Sequence, residues 1–109
     1  MKKGIFPIVT RAAISFRRGY LETFHHDGQE LTIGYDKRTD SRGKAHWYAT
    51  DISCGLMLDK FDKLKDARDY AKLWVAPILE KWEHTDTADF GRNMIKEQLE
   101  LIKEYYNVR

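Results

Sequence analysis

Apolar and polar residues alternate in short runs between about Tyr20 and Phe61, and from about Leu64 apolar residues recur every three to four, which predicts strands followed by helices. In Leu31 to Asp36, the residues Leu31, Ile33 and Tyr35 share one face and Thr32, Gly34 and Asp36 the other, as a strand with one buried face requires. Tyr20 to His26 is a second aromatic and β-branched run. Asp27-Gly28-Gln29-Glu30 joins the two, so they read as a hairpin with a loop of about four residues. Ala45 to Thr50 and Leu56 to Phe61 continue the pattern, entered through the polar loops Lys37 to Lys44 and Asp51 to Gly55. Positions 8–18 fit two elements: a short helix between Thr10 as cap and Gly19, or a strand carrying Ile14 and Phe16, and the alternation favours the strand.

The period then lengthens. Leu64, Ala67, Ala71, Trp74, Val75, Ile78, Leu79 and Trp82 fall on one side of a helix. Pro77 lies inside this run and cannot donate to the carbonyl of Leu73, so a kink or break is expected there. A second helix is expected from a cap at Asp86 or Thr87 to about Tyr106. On it, Phe90, Met94, Ile95, Leu99, Leu101, Ile102, Tyr105 and Tyr106 fill about half the circumference. That arc is wide enough to pack on both the sheet and the first helix, or to leave a part for another chain. The expected fold is α+β: an antiparallel meander of three to four strands followed by two C-terminal α-helices packed on it. One domain spans 1–109, mainly β over 1–61 and mainly α over 62–109.

Composition agrees with a folded chain. At 109 residues, with 42% apolar and 13% aromatic residues, one core is affordable and disorder is excluded. Cys54 is the only cysteine, which rules out an intrachain disulfide and a Cys-rich zinc cluster and fits a reducing, cytoplasmic setting. The start "MKKGIFPIVTRAAISF" has the basic opening of a signal peptide, but Pro7, Arg11, Arg17 and Arg18 interrupt any apolar run long enough for export or spanning. No membrane contact is expected. The net charge of +2 divides unevenly: positions 1–50 hold nine Lys/Arg against five Asp/Glu, and 51–109 hold ten against twelve. A basic strand region could therefore meet phosphates while acidic helices face away.

Motifs of common chemistry are missing. There is no G-x-S-x-G, Walker loop or G-x-G-x-x-G, so neither catalysis nor a cofactor is expected. His25 and His26 point to opposite faces of a strand and cannot easily chelate one ion, and His46 and His84 have no partner at ligand spacing, so no metal is expected either. Asp59, Asp62, Asp66 and Asp69 suit the start and polar side of a helix. The candidate working surface is the basic loop and its aromatic neighbours. Lys37, Arg38, Arg42 and Lys44 could contact phosphates while Trp47 or Tyr48 stacks on a base. Asp36 and Asp40 partly neutralise this loop, which favours a solvated hairpin tip.

The segment "HWYATDISCGLMLDKFDKLKDARDYA" resembles the sheet-plus-helix layout of the arm-type DNA-binding domains of phage integrases, whose helix typically starts F-x-T-x-x-E-A. Phe61, Asp66 and Ala67 match; Lys63 stands where that family has its Thr cap, so the capping box is lost and Asp62 is the substitute cap. In kind, a lone domain with no catalytic motif looks like the accessory proteins of phages and mobile elements, anti-CRISPR inhibitors among them. That likeness implies stoichiometric docking on a protein effector that handles nucleic acid. Tyr20, Tyr35, Trp47, Tyr48, Arg38 and Arg42 are the anchor candidates. Direct DNA or RNA binding through the loop 37–44 is the runner-up, and a structural homodimer through the last helix is the third reading.

Overall fold

Five strands pair in sequence order into one antiparallel sheet: β1 (Lys2–Val9), β2 (Ile14–His26), β3 (Gln29–Thr39), β4 (Ala45–Asp51) and β5 (Leu56–Phe61). Helix α1 (Leu64–Glu80), a short 3-10 turn (Trp82–His84) and helix α2 (Asp86–Asn107) follow. The computed structural model describes residues 1–11 and 13–107, with side chains as far as 104. Among the described residues no helix is long and apolar enough to cross a membrane.

The α+β order is as expected, but the sheet has five strands where three to four were expected. The additional strand is β1, whose inward Phe6 and Ile8 are buried while Ile5 is exposed. In the sequence Pro7 reads only as an interruption of a long apolar run. An edge strand tolerates it, because one side of β1 has no ladder partner to supply. The ambiguous stretch resolves into the end of β1, a turn, and β2 from Ile14; Ala12 lies outside the described residues.

β2 belongs to two pairings. Its first half pairs with β1 and its second half, from Tyr20, with β3. The sheet curls between them, so that Val9 at the end of β1 donates its N–H to the Gly55 carbonyl at 2.8 Å, just ahead of β5. As a result both faces of β3 are covered. On one, Leu31, Ile33, Tyr35 and Ala49 pack against Ala67, Ala71, Val75, Ile78 and Leu79 of α1. On the other, the ring of Phe6 occupies the space a Cβ on Gly34 would need, and Asp36 and Thr50 are buried as well.

α1 begins without the expected carboxylate cap: Lys63 is the N-cap, with no side-chain bond, and Asp62 turns instead to Lys44 and His46. Pro77 does not break the helix. It lies one turn from the end, and Lys81 donates to its carbonyl at 2.9 Å as the helix closes. Trp74, placed by its period on the buried face, is 44% exposed and leans on Tyr70 at the rim of the core. α2 is capped by Thr85, whose Oγ1 accepts from the Ala88 N–H at 3.2 Å. Only its first turns dock: Ala88 and Gly91 are buried, whereas every residue of 96–104 is exposed. The expectation that both helices pack on the sheet therefore holds for α1 and for the start of α2 only.

A carboxylate pair joins the β4–β5 turn to the 3-10 turn. The Ser53 hydroxyl lies 2.8 Å from Asp51 Oδ1 and 2.9 Å from Glu83 Oε2, and its single hydrogen serves only one of them. A proton on Glu83 relieves the conflict. Burial, with the neighbouring Asp51 carboxylate, pushes Glu83 up to about 7. The unfolded chain releases this proton near 4.5, so stability should fall as pH rises from there to about 7 and level off above it. Glu83→Gln, neutral at every pH, should flatten this dependence. Discounted for solvent screening, it should stabilise the protein by about 1 kcal/mol at alkaline pH. Urea unfolding of both proteins at about pH 5.5 and about pH 8 checks this; parallel curves would place the charged pair in solvent.

Candidate nucleic-acid interface

The pleat divides the basic segment. Lys37, Arg38 and Thr39 belong to β3, and only 40–44 form the turn. Asp40 organises that turn: its Oδ1 accepts the N–H groups of Arg42 and Lys44, both at 2.9 Å, and its Oδ2 lies 2.9 Å from His46 Nε2. The His46 contact, followed by the Lys44 N–H bond, holds the Asp40 carboxyl below its ordinary range. Gly43 takes the left-handed conformation needed to close the turn, with φ 84°. Lys44 Nζ reaches Asp62 at 3.5 Å.

Arg38 points to the opposite face from Lys37. Its guanidinium forks onto the buried Asp36 (2.6 and 3.0 Å) and lies 4.1 Å from the centre of the Tyr48 ring. Arg38 and Tyr48 are thus held by a structural contact, with Arg17 4.0 Å from the same carboxylate. Tyr35 requires a correction as a surface anchor. It is fully buried under α1, and its hydroxyl donates to Glu22 at 2.9 Å. Arg68 of α1 forks onto the same Glu22 (2.7 and 3.2 Å) and holds its carboxyl below the ordinary range. Burial and the Glu22 bond raise the Tyr35 hydroxyl, so it stays a donor.

Lys37 is brought to a different set of neighbours. It is paired across the sheet with Trp47, whose ring lies 6.3 Å from that of Tyr20. Tyr20 is paired in turn with Lys3, and Arg18, two residues before it on the same side of β2, with Ile5. Both rings rest against the core on one side and are only half-buried. Lys3, Ile5, Arg18 and Tyr20 contribute to an open cleft of about 500 Å³. Lys3, Arg18 and Lys37 are exposed, and none has a carboxylate within ion-pair distance among the described residues, in contrast to Arg17, Arg38, Lys44 and Arg68.

The eight sequence candidates therefore separate into four groups. Tyr20, Lys37 and Trp47 share one surface; Arg38 and Tyr48 lock the other face; Arg42 and Lys44 sit on the turn; Tyr35 is in the core. Lys3 and Arg18 were missed. Lys3 read as part of a leader-like start and Arg18 as an interruption of an apolar run, and only the β1–β2 register joins them to the aromatic pair. The spacing of Arg18 and Tyr20 on one strand face was the available signal. Cys54 is buried in the β4–β5 turn, where burial pushes its thiol up to about 12, as suits an inert packing residue. No family model, curated protein or solved structure matches the chain.

Proposed function

We propose that the protein is a binding module for single-stranded nucleic acid and that its working surface is the β1–β4 face carrying Lys3, Arg18, Lys37, Tyr20 and Trp47. One observation carries this reading: three exposed cations without carboxylate partners among the described residues surround a half-buried Tyr-Trp pair. The cations have the charge that phosphates need, and the rings offer the faces on which bases stack. The turn at 40–44 is a weaker contact surface, because Asp62 holds Lys44 and the Asp40 carboxylate lies within the turn, leaving Arg42 as its one cation without a carboxylate partner among the described residues.

Replacing Lys3, Arg18 and Lys37 together by Ala should weaken binding of a labelled oligonucleotide whatever its sequence. It should also reduce the slope of log affinity against log salt by about 2, since each phosphate contact on a single strand contributes about 0.7. Fluorescence anisotropy across a salt series measures both. An unchanged slope removes this face from the interface, and absence of binding by the unaltered protein removes the function.

A second reading is stoichiometric docking on an effector that handles nucleic acid, as in an anti-CRISPR-like inhibitor. It is favoured by the distal half of α2, where Leu99, Leu101 and Ile102 are 51%, 60% and 38% exposed, an apolar group of the kind that anchors protein interfaces. Affinity purification of the tagged protein with and without nuclease separates the readings: a nuclease-sensitive catch supports direct nucleic-acid binding, a nuclease-resistant protein partner supports docking, and recovery of the chain alone supports self-pairing through α2.

A further inference from the structure

His26 ends β2, Asp27 opens the turn into β3, and Glu80 is the last residue of α1. The fold brings these three together at the end of the sheet remote from the basic turn. His26 Nε2 lies 3.2 Å from Glu80 Oε1 and 3.5 Å from Asp27 Oδ2, and the three donor atoms all lie within 4.8 Å of one another. We propose that His26, Asp27 and Glu80 bind a divalent transition ion of the Zn2+ class, with water completing the shell. The proposal is independent of the nucleic-acid reading.

The donor set fits the chemistry. Imidazole nitrogen and carboxylate oxygen are both zinc ligands, and an ion with tetrahedral bonds of about 2.0–2.1 Å spaces its ligands about 3.3 Å apart, close to the 3.2 and 3.5 Å that separate His26 Nε2 from the two carboxylates. Hydrogen bonding alone serves the cluster poorly. Nε2 carries at most one hydrogen and faces two carboxylates, so one of them is left without a donor from it. A cation bound by all three removes the conflict.

The helix supplies an independent argument. Glu80 occupies the C-terminal end of α1, where the macrodipole already disfavours negative charge, and the last turn contains no basic residue to compensate. The helix end, Asp27 and Glu80 thus combine into a negative region around an imidazole nitrogen. All three side chains are accessible, so an ion can enter without unfolding. Adjacent-histidine spacing could not reveal such a site, because Glu80 is 54 residues from His26.

Titration of the metal-free protein with Zn2+ by calorimetry tests the proposal, with Co2+ absorption as a second readout of coordination. Zn2+ should bind and raise the melting temperature, since it ties the β2–β3 hairpin to α1. His26→Ala and Glu80→Gln should each weaken binding by about tenfold or more, whereas His25→Ala, on the opposite strand face, should leave it unchanged. If His26→Ala fails to fold by circular dichroism, Glu80→Gln carries the test, since it keeps the side-chain shape. No heat and no visible cobalt bands with the unaltered protein would overturn the proposal, as would Zn2+ affinity unchanged in the variant that folds.

Discussion

Arg38→Ala should destabilise the protein by about 3 kcal/mol in urea unfolding, because it strands the Asp36 carboxylate inside the sheet. Asp36 is 2% exposed, and its two oxygens receive the Arg38 guanidinium at 2.6 and 3.0 Å. Arg17, at 4.0 Å and half-exposed, is too distant to replace that fork fully. The expected loss therefore comes chiefly from an unpaired buried charge and less from the missing attraction. Adding Asp36→Asn to Arg38→Ala should recover most of the stability, since a neutral amide is far easier to bury than a carboxylate. A loss below about 1 kcal/mol for the single variant would mean that Arg17 or water takes over the carboxylate.

Gly91→Ala should also lower stability, by about 2 to 3 kcal/mol, and here the sign is the test. In an ordinary helix interior the same change stabilises by about 1 kcal/mol. In this protein a Cβ at Gly91 would fall on the backbone carbonyl oxygen of Cys54, well inside van der Waals contact, and neither group is the end of a flexible side chain. Gly91 is buried at the point where α2 meets the β4–β5 turn, so the strain should loosen the docking of the helix. Asn93→Ala, exposed two residues further on, is the control and should be neutral or slightly favourable. Stabilisation by Gly91→Ala would show that α2 stands further from the turn.

Fold and site were legible in the sequence to different degrees. Four of the strands and both helices were readable, because alternation and the 3.6-residue period are printed in adjacent residues. β1 was not, since Pro7 and the leader-like basic start obscured the inward pair Phe6 and Ile8. Tyr35 was correctly placed on the buried face of its strand and yet retained as a surface anchor. Its aromatic character suggested an interface, whereas its position decided for the core. The basic loop looked like one cluster because Lys37, Arg38, Arg42 and Lys44 are neighbours in sequence, and strand alternation sends the first two to opposite faces.

By itself, then, the sequence determined the order of elements, the antiparallel meander and the amphipathic face of α1, all of which depend on residues within a few positions of one another. Tertiary structure alone decided which charges are neutralised, which aromatic pair is accessible and how much of α2 finds a surface. Lys3 meets Tyr20 through a register between strands, Arg68 meets Glu22 across the helix–sheet layer, and Glu80 meets His26 at the end of α1. Each joins residues on different elements and so depends on strand register or on how α1 lies on the sheet. The period of α2 makes its apolar arc, but where the body beneath it ends decides that Leu99, Leu101 and Ile102 remain exposed.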